Sequence, residues 1–240
     1  MSGGQLVALV ACLGGMAGVN VWVHLGPARW QPFTGPAAAA LLLLVGRAAG
    51  LSWAQLGLGS GAVVRGLVGG GVAVACVALV FALGLALPLT RGAFLDARHR
   101  VGARVTILRA ALVVPLGTVV FEEVAFRGVL WGLLEVAHGA VWATGLSGVL
   151  FGFWHALPAI DGARENAATG RVARADLVRR VAGTVAFTAL AGVVFGVLRE
   201  LSGSLLAPAL LHWGVNGLGV VAAALAWRWS HGACAPRPSG

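Results

Sequence analysis

The sequence predicts an all-α fold, a polytopic bundle of transmembrane helices with about seven spans, and three observations carry that prediction. Apolar runs recur at lengths near the ~20 residues that cross a hydrocarbon core. Of 240 residues, 59% are hydrophobic and only 10% charged, where soluble domains carry about 25% charged residues. The breaks between runs consist of Pro, Gly and Arg, which punctuate apolar helices. A soluble core is a poor alternative, because too few polar residues remain to cover its surface.

Taken in order, the spans fall at 5–25, 36–51, 67–90, 115–137, 140–158, 182–198 and 204–227. The first lacks the basic residues that open a signal peptide, so it reads as a retained helix. Residues 51–66, with Trp53 and Arg65, read as interfacial, and an eighth, re-entrant element there stays open. Gly66 and Gly70 make a small-xxx-small pair, which means close helix packing. Residues 103–114 also read as interfacial, with Arg104 and Arg109. Pro115 and Pro208 sit in first helical turns, where a missing N–H costs little. The whole chain, 1–240, is expected to form one integral-membrane domain.

The net charge of +9 is a matter of placement. All seventeen basic residues are arginines and most lie in polar connections, without a basic and aromatic stripe for nucleic acid. Residues 91–109 hold Arg91, Arg98, Arg100, Arg104 and Arg109; residues 159–181 hold Arg164, Arg171, Arg174, Arg179 and Arg180. Two crossings separate these loops, so both fall on one side. The positive-inside rule makes that side cytoplasmic, with the C-terminus beside them and the N-terminus outside. The expected location is the plasma membrane of a bacterium. Cys12, Cys76 and Cys234 are scattered and imply neither a disulfide framework nor a Cys-rich metal site.

Strong polar groups within the spans concentrate in three stretches: FEEVAFRG (121–128), FGFWHAL (151–157) and LLHWGVNG (211–218). A charge at bilayer depth costs roughly 2.5–3.5 kcal/mol on insertion scales, so such residues are rare and usually functional. Glu123 and Arg127 stand i,i+4 on one face, acid before base, where they can pair. His212 and Asn216 share that spacing, as do Phe151 and His155. Three helices can thus turn polar stripes toward one cavity. A carboxylate in low dielectric is a stronger base than in water and can activate water. An imidazole can orient that water or ligate a metal, and an Asn amide can donate to an oxyanion.

Plainer readings exist for each residue. Glu123 with Arg127 can be a structural ion pair, His155 an interfacial histidine, and His212 with Asn216 an interhelical hydrogen-bonding pair. Glu122 has no second cation near it in sequence. Glu135 and His138 sit at a helix end and read as solvated; His24, His99 and His231 read as boundary or loop residues.

The order EExxxR, FxxxH, HxxxN on separate hydrophobic helices resembles the CAAX protease and bacteriocin-processing (CPBP, or Abi) family of intramembrane proteases, which includes the type II CAAX prenyl endopeptidases. The matching residues are Glu122-Glu123-Val-Ala-Phe-Arg127, Phe151-Gly-Phe-Trp-His155 and His212-Trp-Gly-Val-Asn216, and the likeness covers 108–226. The resemblance implies an endopeptidase acting on a membrane-associated or prenylated protein or peptide. Glu122 is then the base on water, assisted by His155; His212 and Asn216 stabilise the oxyanion; Glu123 and Arg127 brace the site, with Phe151 supporting. The family is often described as metalloproteases. Glu122, His155 and His212 could supply three ligands to a zinc ion with an open water position, leaving Glu123 as base. The metal-free scheme needs fewer assumptions.

Other classes fit less well. Gly145-Leu-Ser147-Gly148 matches a rhomboid serine-protease motif but leaves Glu122, Arg127 and His155 unexplained. Asp96, Asp161 and Asp176 lie in polar loops, which argues against an aspartyl mechanism. A proton-coupled transporter or a non-catalytic scaffold or immunity protein remains as an alternative use of the buried cluster, although no paired repeats are evident. One tension stands: with these boundaries Glu122 lies seven residues, or ~10 Å, below the cytoplasmic face, whereas His212 lies nearer the opposite one.

Overall fold

The computed structural model describes residues 1–27, 30–167 and 174–232. Among these, helices and turns account for the regular structure, with no strand. We number the main helices α1 (Gly3–Leu25), α2 (Gln31–Ala48), α3 (Val63–Ala86), α4 (Ala103–His138), α5 (Ala140–Trp154), α6 (Ala156–Ala167), α7 (Arg174–Ser202) and α8 (Leu206–Gly232). Six stretches are long and apolar enough to cross a membrane, and the shorter Phe33–Ala48 in α2 adds a seventh apolar helix. The protein is a polytopic helical bundle of about seven spans.

Local chemistry sets the helix ends. Ser2 and Gln5 form a reciprocal capping box at the start of α1 (2.8 and 3.3 Å). Leu87 is extended ahead of Pro88, so α3 stops at Ala86, short of the 90 expected from sequence. The α4–α5 and α7–α8 connections turn sharply at Gly139 (φ 85°) and Gly203 (φ 68°), a conformation that costs glycine nothing.

The largest departure from the sequence reading is α4. Residues 103–114 are not a separate interfacial segment; they run without a break into the following span, and Pro115 lies inside the helix. The i→i+4 ladder cannot pass an interior proline intact. Here it widens into π-helical turns at Arg109–Val113 and Pro115–Val119, and again at Val124–Leu130. Likewise, the 159–181 stretch is largely helical: α5 breaks at His155, α6 follows at once, and α7 begins at Arg174. Residues 168–173 and the tail with Cys234 and Arg237 lie outside the described residues.

Every residue from Phe121 to Leu134 is buried, so this part of α4 is surrounded on all sides. It packs against α1, α2, α5, α7 and α8. Small residues allow the tightest approaches. A Cβ on Gly152 would lie 2.6 Å from the Val185 carbonyl oxygen, and one on Gly148 would lie 3.0 Å from the Val193 backbone nitrogen, so α5 and α7 meet backbone to backbone. Gly66 and Gly70 play the expected packing role for α3 against the start of α8, beside Ser204, Ala207 and Leu210.

The 51–66 stretch, whose last four residues open α3, mixes exposed positions such as Trp53 and Leu58 with buried ones. Leu51 and Leu56 are fully buried, and Gly128 and Gly132 of α4 leave room for the backbone around Gln55 and Leu56. Arg199 Nη2 donates to the Gln55 carbonyl (2.8 Å) and the Leu205 N–H to the Gly57 carbonyl (2.8 Å). These bonds satisfy backbone that the bilayer interior could not.

Candidate active site

Glu122 and Glu123 sit on the enclosed stretch of α4, with 5% and 2% of their surfaces exposed. Adjacent helix positions point about 100° apart, and the two carboxylates accordingly meet different partners. Glu123 Oε1 accepts from Arg127 Nη1 (3.2 Å) and from His212 Nδ1 (2.8 Å). Glu122 Oε1 accepts from the Trp154 indole N–H (3.0 Å). Its Oε2 is buried without a protein hydrogen bond, 3.7 Å from His212 Nε2.

Arg127 is fully buried. Besides Glu123, its guanidinium donates to the Gly192 carbonyl of α7 (3.3 Å) and lies 4.1 Å from the centroid of Phe151 and 4.8 Å from that of Phe195. The two rings offer their negative faces to a cation shielded from water. The expected Glu123–Arg127 pair is therefore present, and it is one edge of a larger cluster.

His212 enters from α8 and is 3% exposed. A carboxylate only accepts, so the bond to Glu123 places a proton on Nδ1 and directs Nε2 toward Glu122. The ring stacks on Phe195 (5.1 Å) and meets Phe151 edge-on (5.8 Å). His155 closes α5, and its Nδ1 lies 2.8 Å from the Phe151 carbonyl oxygen. That oxygen too can only accept, which leaves Nε2 of the neutral ring with its lone pair. His155 packs on the Phe151 ring (4.6 Å), so one phenyl separates the two histidines. Asn216 lies one turn beyond His212 on α8, half-buried and without a protein hydrogen bond among the described residues.

The structure thus joins Glu122, Glu123, Arg127 and His212 directly, and brings His155 in through Phe151. The apparent mismatch in depth between Glu122 and His212 arose from starting α4 at 115 instead of Ala103. With twelve more residues before it, Glu122 falls near the middle of the helix, level with the early turns of α8. The set Glu122, His155 and His212 does not fit a metal site in this arrangement: among the described residues no three His, Cys, Asp or Glu side chains are placed to hold an ion. His212 is committed to Glu123, and one oxygen of Glu122 to Trp154. Ser147 is fully buried, and its hydroxyl lies 3.4 Å from the Thr144 carbonyl of its own helix, apart from His212. Glu135 is half-buried at the end of α4 and His138 exposed.

Sequence reasoning passed over four contributors. Trp154 lay inside the FGFWHAL stretch, but an indole next to a histidine carries no sign that it will meet Glu122. Asn20 of α1 holds the Trp154 carbonyl (3.0 Å). Phe195 and Gly192 belong to α7, whose apolar run gave no polar signal at all.

No curated protein and no solved structure matches the chain. Residues 104–218, which hold α5, all of the cluster, Asn216 and all but the first residue of α4, match the model of a protein family described as type II CAAX prenyl endopeptidase Rce1-like. Through that segment, with its three polar motifs on α4, α5 and α8, the chain is similar to the Rce1-like family, and that likeness supports a protease embedded in the membrane.

Proposed function

We propose that the chain is an intramembrane endopeptidase of CAAX type that hydrolyses a peptide bond of a membrane-associated or prenylated substrate, with Glu122 as the base on water. The observation that carries this reading is the split between the carboxylates. Each keeps its Oε2 buried without a protein hydrogen bond, but Glu123 is bonded to both Arg127 and His212, whereas Glu122 is held by the Trp154 indole alone. A fixed carboxylate with a free lone pair in a water-poor site suits general-base work.

In the proposed step Glu122 takes a proton as the water oxygen attacks the carbonyl carbon. His155 Nε2, freed by the bond from Nδ1 to Phe151, helps orient the water. The negative charge passes to the substrate carbonyl oxygen, which the Asn216 amide and a proton on His212 Nε2 stabilise. In this scheme His212 enters with a proton on each nitrogen, so Nε2–H donates to the oxyanion without a proton changing hands, while the Glu123 carboxylate on Nδ1 offsets the charge and fixes the ring. The proton on Glu122 then moves to the leaving amine, and the C–N bond breaks. No covalent nucleophile and no metal enter this scheme. The loops 91–109 and 159–181 and the C-terminus are assigned to the cytoplasmic side on their arginines.

The test is cleavage of prenylated and unprenylated membrane-anchored peptides by the purified chain. Glu122→Gln keeps the shape and the Trp154 bond but removes the base, and turnover should fall by roughly 10²–10⁴ with the protein still folded. Ser147→Ala should cleave normally, and a chelator should have no effect. If Glu122→Gln cleaves at the parent rate, the assignment loses its centre. Activity abolished by chelator and restored by zinc points instead to metal catalysis.

A further inference from the structure

We propose that the cleft between residues 99–102 and the end of α8 binds the phosphate of an anionic phospholipid headgroup. The cleft measures about 280 Å³ and is lined by His99, Arg100, Gly102, Trp227 and Arg228, among others. It lies where two apolar spans end together, the start of α4 and the end of α8. That is the level at which headgroup phosphates meet a membrane protein, and basic pockets between helix ends take such groups.

Its walls are built rather than incidental. The Trp227 indole N–H donates to the Asp96 carbonyl (2.8 Å), and Arg109 Nη1 donates to the Arg98 carbonyl (2.8 Å), so both ends of the segment are tied to helices. Asp96 is the sole carboxylate between residues 91 and 109. Arg98 clasps it through bonds of 2.7–3.1 Å, which holds its carboxyl below the usual range, and its Oδ2 also lies 4.0 Å from His99 Nε2.

The remaining charges are uncommitted. Arg100 lies over the Trp227 ring at 5.4 Å. Among the described residues, neither Arg100 nor Arg228 has a hydrogen bond or ion pair with the protein. His99 adds a buried Nδ1 without a protein partner. Gly102 precedes α4 with no side-chain cap, so the first N–H groups of that helix also lack a side-chain acceptor there. Two guanidiniums, an imidazole nitrogen and a helix start need an acceptor-rich anion, and a phosphodiester at this depth supplies one.

The experiment is native mass spectrometry of the full chain in neutral detergent with phosphatidylglycerol, phosphatidylcholine or inorganic phosphate. We expect one phosphatidylglycerol retained at least tenfold better than phosphatidylcholine, and little competition from millimolar phosphate. Arg100→Gln with Arg228→Gln should reduce that retention about tenfold, whereas Arg179→Gln with Arg180→Gln removes the same charge elsewhere and should not. If the double variant melts early, the single exposed change Arg228→Gln carries the same reading. Equal retention of the two lipids, unchanged retention in the cleft variants, or displacement by free phosphate would each overturn the proposal.

Discussion

Glu122 and Glu123 are neighbours in sequence with unlike surroundings, and their roles separate accordingly. Burying two carboxylates beside one arginine is costly unless each finds partners. Glu123 has two donors on one oxygen and Glu122 a single donor, while the second oxygen of each is buried without a protein hydrogen bond. Removing one member of a buried pair costs about 3–5 kcal/mol, because the other charge stays behind. Arg127→Ala should therefore lower folded yield and melting temperature sharply; normal expression with unchanged melting would show that the cluster does not depend on it. Trp154→Phe keeps an aromatic ring against Phe121 and Phe126 but loses the indole N–H on Glu122. A hydrogen bond to a charged group is worth about 1.5–3 kcal/mol, so we expect turnover to drop roughly tenfold with little change in substrate KM.

Between α5 and α7 the geometry of the site depends on residues with no side chain. Gly148 and Gly152 bring α7 close enough for Gly192 to meet Arg127 and for Phe195 to stack on His212. Gly152→Ala should cost about 1–3 kcal/mol by overpacking and should also reduce activity, since it pushes on Val185 and Ala189 of α7, the helix that carries Gly192 and Phe195. Gly145→Ala, three residues before Gly148 on the same helix, meets nothing within 4 Å. It should be neutral or stabilising by up to about 1 kcal/mol through helix propensity. Thermal melts of the two variants side by side check the packing; equal losses would refute it. In α4 the π-helical turns coincide with Pro115 and with the Val124–Leu130 segment that carries Arg127, and widened turns of this kind often lie at functional positions.

At the scale of the molecule, the proposed orientation has seven crossings with the N-terminus outside and the C-terminus inside. The arginine-rich segments 91–109 and 159–181 should face the cytoplasm. A reporter fused at the C-terminus that fluoresces only in the cytoplasm should be bright, and one active only outside should be silent; the reverse result would invert the proposed orientation.

The membrane class, the rough position of every span, and the residues of the central cluster were legible in the sequence because each rests on a local cost. Apolar length, arginine placement and charges stranded in an apolar run all carry their meaning in neighbouring residues. The i,i+4 offset likewise foretold the Glu123–Arg127 bond. What tertiary structure decided was everything set by distance across the bundle. His212 settles between the two glutamates, Trp154 holds Glu122, and Phe195 covers Arg127, because α5, α7 and α8 converge on one stretch of α4 through contacts 32 to 89 residues apart in sequence. The extent of α4 itself was misjudged for the same reason. Pro115 and the flanking arginines are local signs of a helix boundary, and only packing against α2 and α8, with π turns absorbing the missing bond, keeps the helix continuous through them.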